Sequence, residues 1–591
     1  MVSFEGNRLR YFFEIFWVVI VRFARGVEVG EREKQVKITF EPTGRSVWVL
    51  PGTGLLEAAS QCGLTIDSPC GGVGTCGKCR VRFISGIPQA SEAGEEMLEA
   101  ADVQAGWRLA CQTVVERDAV IAIPETSLFA EQLQILTASS EVVEVSADDL
   151  PSKKVTTPVA LLEGERNFAI AFDLGTTTLV GELLELPGGA ERAIAAGINP
   201  QVSFGDDVVS RIGRACQGQA QAREMRDVII DAINKLVDEL CEKAQVQRGE
   251  IRGLGFAGNT TMQHLLCGLD VSSLAALPFA PARAESYQID AEEFGISAGP
   301  GAQVYVMPVI GGFVGGDTVA GILTTSMGQA DGPVLMIDIG TNGEIVLARG
   351  GEILAASAAA GPAFEGARIA CGMRAAAGAI EKVVLADGKL RCSVIGGVEP
   401  IGICGSALVD VAAEMLRCGA MDSVGKIAAN GDMPADSCAE LRGRVRQNSD
   451  GQGEFVLVEG NDNGSPEVSI KQRDIRELQL ATGALRAGVG ILLKQAHLAA
   501  GDLHRVLIAG GFGSFIRRAN AQRIGLIPSQ VPPERISYVG NVSLHGAKWV
   551  LVSVLARQKA ENLARQVKHV ELSADTDFQM AFAEAMIFPE I

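Results

Sequence analysis

Four cysteines near the start of the chain constrain its fold more than any other feature. Three follow the pattern Cys70-x5-Cys76-x2-Cys79, and Cys111 stands apart as a fourth. The loop between the first and third cysteines is rich in glycine, which tolerates positive φ and lets a backbone pass close to a bound group. Four thiolates converging from such a loop are a ligand set for an iron–sulfur cluster or for zinc.

The spacing of the cysteines favours the iron–sulfur cluster. A structural zinc site usually pairs two Cys-x2-4-Cys knuckles, whereas this chain has one knuckle and a lone Cys111. The cysteine run of [4Fe–4S] proteins does not occur. The loop and the closing segment Gly106-Trp-Arg-Leu-Ala-Cys111 resemble plant-type [2Fe–2S] ferredoxins, with one extra residue in the first gap. This resemblance implies a β-grasp domain with Cys70, Cys76, Cys79 and Cys111 as cluster ligands, and zinc stays the alternative.

The amino-acid composition indicates the cellular compartment of the protein and excludes some classes of partner. The chain has 13 cysteines and most lack paired spacing, which indicates reduced thiols in the cytoplasm. A net charge of −19 argues against nucleic acid or an anionic membrane surface as partner. The apolar stretch at residues 11–21 contains Glu14 and is far shorter than the roughly 20 residues that span a bilayer. We therefore expect residues 1–35 to be an extension that precedes a ferredoxin domain at 36–125.

A second signature occurs twice in the remainder of the chain. Asp173-Leu-Gly-Thr-Thr177 and Asp338-Ile-Gly-Thr-Asn342 lie 165 residues apart, and each follows an apolar strand-like run. In such a turn, backbone N–H groups and hydroxyls can hold phosphate oxygens while the carboxylate faces Mg²⁺ through water. One copy occurs in ordinary hairpins, but two copies in phase indicate a duplicated domain whose halves form the walls of a cleft.

A third segment completes a nucleotide-binding pattern. The apolar run from Val506 ends in Gly510-Gly511, where an adenosine can lie against the backbone. The three segments resemble those of the actin, sugar-kinase and heat-shock ATPase superfamily. The resemblance implies a multidomain chain, α+β then α/β, with a linker at 126–165 and a duplicated ribonuclease-H-like (actin-like) ATPase domain in two lobes at 166–591. The residues expected to bind ATP and Mg²⁺ are Asp173, Gly175, Thr176, Thr177, Asp338, Gly340, Thr341, Asn342, Gly510 and Gly511.

Asp317 is the third candidate catalytic carboxylate, with Asp173 and Asp338. It lies in a Gly-Asp pair where sugar kinases carry the base that deprotonates their acceptor. An aspartate before Thr318 is equally suited to be a helix N-cap. Both interpretations stay open at this point.

The fusion as a whole resembles the reductive activators of corrinoid-dependent methyltransferases. Segments outside the nucleotide pattern carry the resemblance, among them Asn199-Pro-Gln-Val-Ser-Phe-Gly-Asp206 and Ala359-Ala-Gly-Pro-Ala-Phe-Glu-Gly366. It implies an ATP-hydrolysing enzyme that passes one electron from its [2Fe–2S] cluster to the Co(II) corrinoid of a partner protein, restoring Co(I). It also implies an upstream low-potential electron donor. Whether the molecule is a homodimer is left open by the sequence.

Two other functions compete with this one. The first is a small-molecule, carbohydrate-type kinase with a redox-sensing ferredoxin domain, which Asp317 favours. The second is a non-enzymatic iron–sulfur electron-transfer module on an inert actin-like scaffold. The intact turns at Asp173 and Asp338 count against the second.

Overall fold

A computed structural model describes most of the chain: residues 36–49, 51–61, 64, 66, 74, 77–124, 127, 157–386, 389–429, 433, 439–448, 451–460, 466–510 and 516–589. The chain forms two compact units, residues 1–67 with 72–129 and residues 68–71 with 130–591. Residues 1–35, Cys70, Cys76, Gly511 and most of the predicted linker lie outside the described residues. The domain boundaries given above therefore stay predictions.

The N-terminal unit is a small mixed sheet with a helix packed on it. The sheet order is β2-β1-β7-β4-β5, in which β1 pairs antiparallel with β2 and parallel with β7. Its described strands and helices are β1 (Val36–Glu41), β2 (Arg45–Val49), β3 (Thr53–Gly54), α1 (Leu55–Gln61), β4 (Arg80–Ser85), α2 (Glu92–Met97), α3 (Ala100–Gln104), β5 (Trp107–Leu109), β6 (Val114–Val115) and β7 (Ala119–Ala122).

Strict alternation in β1 explains how this sheet acquires a core. Val36, Ile38 and Phe40 are buried while Lys37 between them is exposed, as expected for a strand with one face turned inward. Leu55 of helix α1 is fully buried in the same cluster. A helix packed across a mixed sheet is the β-grasp arrangement, so the predicted fold of this unit is confirmed.

The first half of the C-terminal unit is built around a six-stranded sheet of order β10-β9-β8-β11-β13-β12. Its described strands and helices are β8 (Phe168–Leu174), β9 (Thr178–Glu185), β10 (Ala190–Ile198), α4 (Val208–Ala215), α5 (Gln219–Ala244), β11 (Ile251–Gly258), α6 (Thr260–Cys267), β12 (Tyr287–Asp290), α7 (Ala291–Phe294), β13 (Gln303–Val306) and α8 (Gly316–Thr325).

The second half contains a six-stranded sheet of order β24-β23-β14-β15-β16-β25 and two three-stranded sheets. Its described strands and helices are β14 (Val334–Ile339), β15 (Gly343–Arg349), β16 (Glu352–Ala358), β17 (Ala379–Ala386), β18 (Lys389–Val394), β19 (Gly402–Ile403), α9 (Gly405–Cys418), α10 (Ala439–Arg444), β20 (Val445–Gln447), β21 (Gly453–Val458), β22 (Val468–Lys471), α11 (Gln472–Gln495), β23 (Arg505–Ala509), α12 (Arg518–Arg523), β24 (Ile536–Gly540), α13 (Val542–Val552), α14 (Val554–Gln566), β25 (Lys568–His569) and α15 (Thr576–Ala585).

The two large sheets repeat one topology. In each, three consecutive strands form an antiparallel meander, β8-β9-β10 and β14-β15-β16. The first strand of each meander then pairs in parallel with a later strand, β11 in one sheet and β23 in the other. The duplication predicted from the repeated turn signature is therefore present in the fold.

Helix α13 joins the two halves of the C-terminal unit. It follows β24 of the second sheet but packs against β8 and β11 of the first. The side chains of β8 allow this contact. Its large side chains lie on one face with helix α5, and its alanines, Ala169 and Ala171, lie on the other face. Small residues on that face let the helix approach the sheet closely, and Leu551 lies in the same cluster as the alanines.

Within the described part of the chain, every helix is too short or too polar to serve as a membrane span.

Candidate nucleotide cleft and cluster site

The two predicted phosphate turns face each other across one cavity. The cavity has a volume of about 300 Å³. Asp173 enters it at the end of β8, and Asp338 enters it at the end of β14. The predicted nucleotide residues that line it are Asp173, Gly175, Thr176, Thr177, Asp338, Gly340, Thr341, Asn342 and Gly510. The fold thus brings together every predicted nucleotide residue that is described, although their roles stay predictions.

The first turn is held by side chains from three other segments. The amide of Asn199 donates to the carbonyl of Gly175 at 2.9 Å, and Asn259 donates to the hydroxyl of Thr176 at 2.9 Å. Asn541, at the start of α13, donates to Asp173 at 2.8 Å. Burial raises the pKa of Asp173, and the polar side chains of Ser543 and Asn541 offset part of that shift.

The second turn has more carboxyl groups close to it than the first. Burial, followed by the charges of Asp317 and Asp173, raises the pKa of Asp338 to about 8. Glu344 lies directly across the hairpin from Asp338, and burial next to these carboxylates raises its pKa well above its usual value. Such a site binds protons or cations readily, because either relieves the repulsion between buried carboxylates.

Gly510 fits against the second turn in a way that excludes a side chain. Its φ is +89°, and a Cβ there would lie 2.5 Å from Oδ1 of Asp338. Only glycine combines this backbone conformation with this close approach. Gly511, the other glycine of the predicted adenosine contact, lies outside the described residues.

Asp317 lies in the cavity and is not a helix cap. The N-cap of α8 is Gly315, so Asp317 falls in the first turn of the helix, and the capping alternative is wrong. Its Oδ1 accepts from the N–H of Thr318 at 2.7 Å. Burial raises its pKa above the usual range, and the charge of Asp173 adds to the shift. A carboxylate poised in this way can exchange a proton near neutral pH.

Sequence reasoning missed three acidic residues of the cleft, Glu344, Glu365 and Glu381. Glu344 follows the second turn, and pairing the hairpin strands on paper would have placed it opposite Asp338. Glu365 accepts hydrogen bonds from Thr177 at 2.5 Å and from Thr341. It belongs to the segment Ala359–Gly366 that carried the family resemblance, but no local pattern points to its contacts.

The N-terminal unit brings two of the four predicted cluster cysteines together. Arg80 pairs with Leu109 across β4 and β5, and the N–H of Ala110 donates to the carbonyl of Cys79 at 2.9 Å. Cys79 and Cys111 are therefore carried on adjacent backbone segments. Cys70 and Cys76 lie outside the described residues.

Two glycines of the cysteine loop, Gly74 and Gly77, are described, and both have positive φ. Gly74 has a φ of +88°, and a Cβ there would lie 2.9 Å from Cβ of Ala93. Glycine is therefore required at Gly74, as it is where a loop passes close to a bound cluster. These glycines, with Cys79 and Cys111 on adjacent backbone segments, fit the binding of an iron–sulfur cluster.

Comparisons with known families match both units. Residues 38–116 match the model for the 2Fe-2S iron-sulfur cluster binding domain. Residues 168–330 match the RACo middle region, and residues 332–591 match the C-terminal domain of RACo, the ASKHA domain. The middle-region model thus falls on the first of the two duplicated halves.

Individual relatives extend over most of the chain. The corrinoid activation enzyme RamQ of Eubacterium limosum is 32% identical over 449 residues, which is 76% of this chain and 73% of RamQ. The [Co(II) methylated amine-specific corrinoid protein] reductase of Methanosarcina barkeri is 24% identical over 68% of this chain and 73% of its own length. A solved reductive activator for corrinoid, iron-sulfur protein covers 94% of this chain and 98% of its own, with 32% identity and a TM-score of 0.65.

These matches confirm the family resemblance, the ferredoxin unit and the actin-like ATPase fold. The chain belongs to the RACo-type reductive activators of corrinoid proteins.

Proposed function

We propose that this protein is an ATP-dependent reductive activator that transfers one electron to the Co(II) corrinoid of a methyltransferase corrinoid protein. A [2Fe–2S] cluster held by the protein would supply the electron that converts Co(II) to Co(I), and an upstream low-potential donor would replace that electron. The observation that carries the proposal is the extent of the match. A solved reductive activator for corrinoid, iron-sulfur protein covers 94% of this chain, and a corrinoid activation enzyme and a Co(II) corrinoid protein reductase match 76% and 68% of it.

The energetics explain why an ATPase domain belongs in such a protein. A plant-type cluster has a potential of roughly −400 mV, and Co(I) is harder to reach. An uphill gap of roughly 100–150 mV corresponds to about 2–4 kcal/mol for one electron. That is close to the 1–3 kcal/mol by which two sites in one protein are typically coupled. Closure of the cleft around nucleotide is the step that we expect to supply this coupling.

Different residues of the cleft would bind the phosphates, the adenosine and the cation. The hydroxyls and N–H groups of the two turns would hold phosphate oxygens, and Gly510 would leave room for the adenosine. When bound, Mg²⁺ neutralises charge on the phosphates. Among the described residues, no group of three or more His, Cys, Asp or Glu side chains is arranged to hold a metal ion by itself. Asp173 and Asp338 would face a nucleotide-bound cation through water. Asp317 would accept a proton from, or orient, the attacking water.

The cysteine ligands proposed for the cluster are Cys70, Cys76, Cys79 and Cys111. When bound, the cluster supplies reversible one-electron transfer. The protein's own contribution is the pairing of β4 with β5, next to which Cys79 and Cys111 lie on adjacent backbone segments. Zinc remains the competing occupant, and metal analysis separates the two.

The test is anaerobic reconstitution with iron and sulfide, followed by visible spectroscopy of a Co(II) corrinoid protein with and without Mg-ATP. We expect reduction to Co(I) only with hydrolysable ATP. Cys111→Ser should lose the cluster absorbance and the reduction, whereas Cys216→Ser, at an exposed cysteine far along the chain, should retain both. Equal reduction rates without ATP, or bound zinc in place of iron, would contradict the proposal. Phosphorylation of a carbohydrate would instead support the kinase alternative.

A further inference from the structure

Glu365 joins the two phosphate turns to each other. It is the last residue of a short 3₁₀ helix, Pro362–Glu365. Its Oε2 accepts from the hydroxyl of Thr177 at 2.5 Å, and its Oε1 accepts from the hydroxyl of Thr341. One threonine belongs to each half of the duplicated fold. A single carboxylate therefore spans the cleft at the two hydroxyls that we propose as phosphate ligands.

This arrangement excludes a phosphoryl group bound to the same hydroxyls. A threonine hydroxyl has one hydrogen to donate, so a hydroxyl that donates to Glu365 cannot also donate to phosphate. A carboxylate and a phosphoryl group are both anionic and repel each other at short range. Glu365 must therefore leave Thr177 and Thr341 before a phosphoryl group can bridge the two turns.

The guanidinium of Arg211 provides a second binding partner for the carboxylate of Glu365. Its side chain is fully buried, its Nε donates to the carbonyl of Gly205 at 2.8 Å, and its Nη2 has no hydrogen-bond partner. Glu365 is close enough to act on Arg211 electrostatically, together with Asp206. A buried guanidinium with an unused donor is unfavourable, and an arriving carboxylate would relieve it.

Movement of Glu365 has to be a rotation of its own side chain. The short helix that carries it is packed into the core, where Ala363 and Phe364 are buried. A Cβ at Gly366, which follows the helix, would lie 2.5 Å from the carbonyl oxygen of Met373, so the backbone there is closely packed as well. The backbone therefore stays in place while the carboxylate changes rotamer.

We propose that Glu365 is a specificity-determining residue that competes with the terminal phosphoryl group of the nucleotide for Thr177 and Thr341 and passes to Arg211 when nucleotide binds. This inference rests on the proposed function of the cleft. It makes nucleotide affinity depend on an internal competitor. A ligand whose phosphates reach both turns displaces the competitor, so the rotamer of Glu365 reports the nucleotide state.

The test compares Glu365→Ala and Glu365→Gln with wild type in two measurements. The first is the Kd for a non-hydrolysable Mg-ATP analogue by calorimetry, and the second is the thermal unfolding midpoint of the nucleotide-free protein. A competitor that occupies its site nine-tenths of the time weakens apparent affinity about tenfold. We therefore expect Glu365→Ala to bind the analogue about tenfold more tightly and Glu365→Gln, which keeps one acceptor oxygen, to show a smaller gain.

The nucleotide-free protein should change in the opposite direction. Both variants lose a contact between the two turns, so their unfolding midpoints should fall while their nucleotide affinity rises. A merely structural role would lower both quantities. Glu352→Ala, at an exposed glutamate on β16, is the matched control and should change neither. Unchanged or weaker analogue binding by Glu365→Ala and Glu365→Gln would overturn the proposal.

Arg211 is tested by a double-mutant cycle. Arg211→Lys removes the planar fork and should weaken analogue binding several-fold when Glu365 is present. In combination with Glu365→Ala, the same change should have no effect. Equal effects in the two backgrounds would overturn the second position of Glu365. If wild type binds no analogue at all, the proposed function itself fails, which distinguishes that result from the others.

Discussion

The two hairpins that form the cleft begin from the same signature and end with different chemistry. In the first, Leu174 pairs with Leu179, which leaves four residues in the turn. In the second, Ile339 pairs with Gly343, which leaves three. This difference of one residue changes which side chain lies opposite the aspartate. Val180 lies opposite Asp173 in the first hairpin, whereas Glu344 lies opposite Asp338 in the second.

The comparison shows how a duplicated motif becomes asymmetric. Asn541 donates a hydrogen bond to Asp173, which partly offsets the effect of burial on its pKa. The causes that shift the pKa of Asp338 all raise it, and Glu344 adds another carboxylate across the hairpin. Carboxyl groups therefore accumulate at the second turn, where bound protons or a bound cation would offset their mutual repulsion. We expect a cation to be held more tightly on that side of the cleft than on the other.

Removing either aspartate should have the largest effect. Asp173→Ala and Asp338→Ala should each lower ATP-dependent Co(II) reduction at least about 100-fold, because each removes a charge that positions the cation during phosphoryl transfer. Both should leave the cluster spectrum unchanged, since Cys79 and Cys111, two of the proposed cluster ligands, belong to the other unit. The measurements are the reduction rate and the visible spectrum of the reconstituted protein. Full ATP-dependent reduction by either variant would show that the nucleotide lies elsewhere.

The pH dependence of stability is a more sensitive test of the difference between the two hairpins. In the folded, metal-free protein the pKa of Asp338 is about 8, and those of Asp317 and Glu344 are also raised. An unfolded chain releases these protons near pH 4, so between about pH 4 and 8 the folded state binds more protons. Stability should therefore fall as pH rises through this range and level off above it.

Glu344→Gln should make this decline shallower. With EDTA and no nucleotide, its thermal unfolding midpoint should exceed that of wild type at pH 8 and match it at pH 5. Asp173→Asn should have a smaller effect, because Asn541 and Ser543 already offset the shift at Asp173. A wild-type midpoint that rises from pH 5 to pH 8 would contradict the charge asymmetry between the hairpins.

The smallest expected effect concerns the packing of the second turn. A Cβ at Gly343 would lie 2.0 Å from a methyl carbon of Leu485 on α11, so Gly343→Ala should lower the free energy of unfolding by about 1–3 kcal/mol. Thr178 occupies the corresponding position in the first hairpin, and Thr178→Ala should change stability by less. Urea denaturation measures both. Equal losses would mean that the shorter turn is not held against α11.

Local signals in the sequence predicted the hairpins well. Each turn signature follows an apolar strand-like run in the sequence, and each of these runs is a strand, β8 ending at Leu174 and β14 ending at Ile339. Apolar runs interrupted by a Gly-Thr turn give these boundaries without tertiary information. The cysteine spacing likewise predicted the ferredoxin unit, which the family match confirms.

The remaining features depend on contacts that no local pattern encodes. Glu365 reaches Thr177 across 188 positions of the chain. The place of Glu344 opposite Asp338 depends on the length of one turn, which a shared signature hides. In the sequence, Asp317 is equally compatible with capping and with the cleft, and only the position of the α8 N-cap at Gly315 separates the two. Residues that act across the cleft are thus the ones that sequence reasoning finds last.

The position of helix α13 has a consequence for synthesis of the protein. Strand β8 emerges from the ribosome early, but the helix that covers Ala169 and Ala171 ends at Val552, near the end of the chain. The nascent first half therefore exposes an apolar sheet face while several hundred further residues are translated. Chains released before that helix is made would lack a wall of the half already synthesised, which makes truncated products targets for chaperones and proteases.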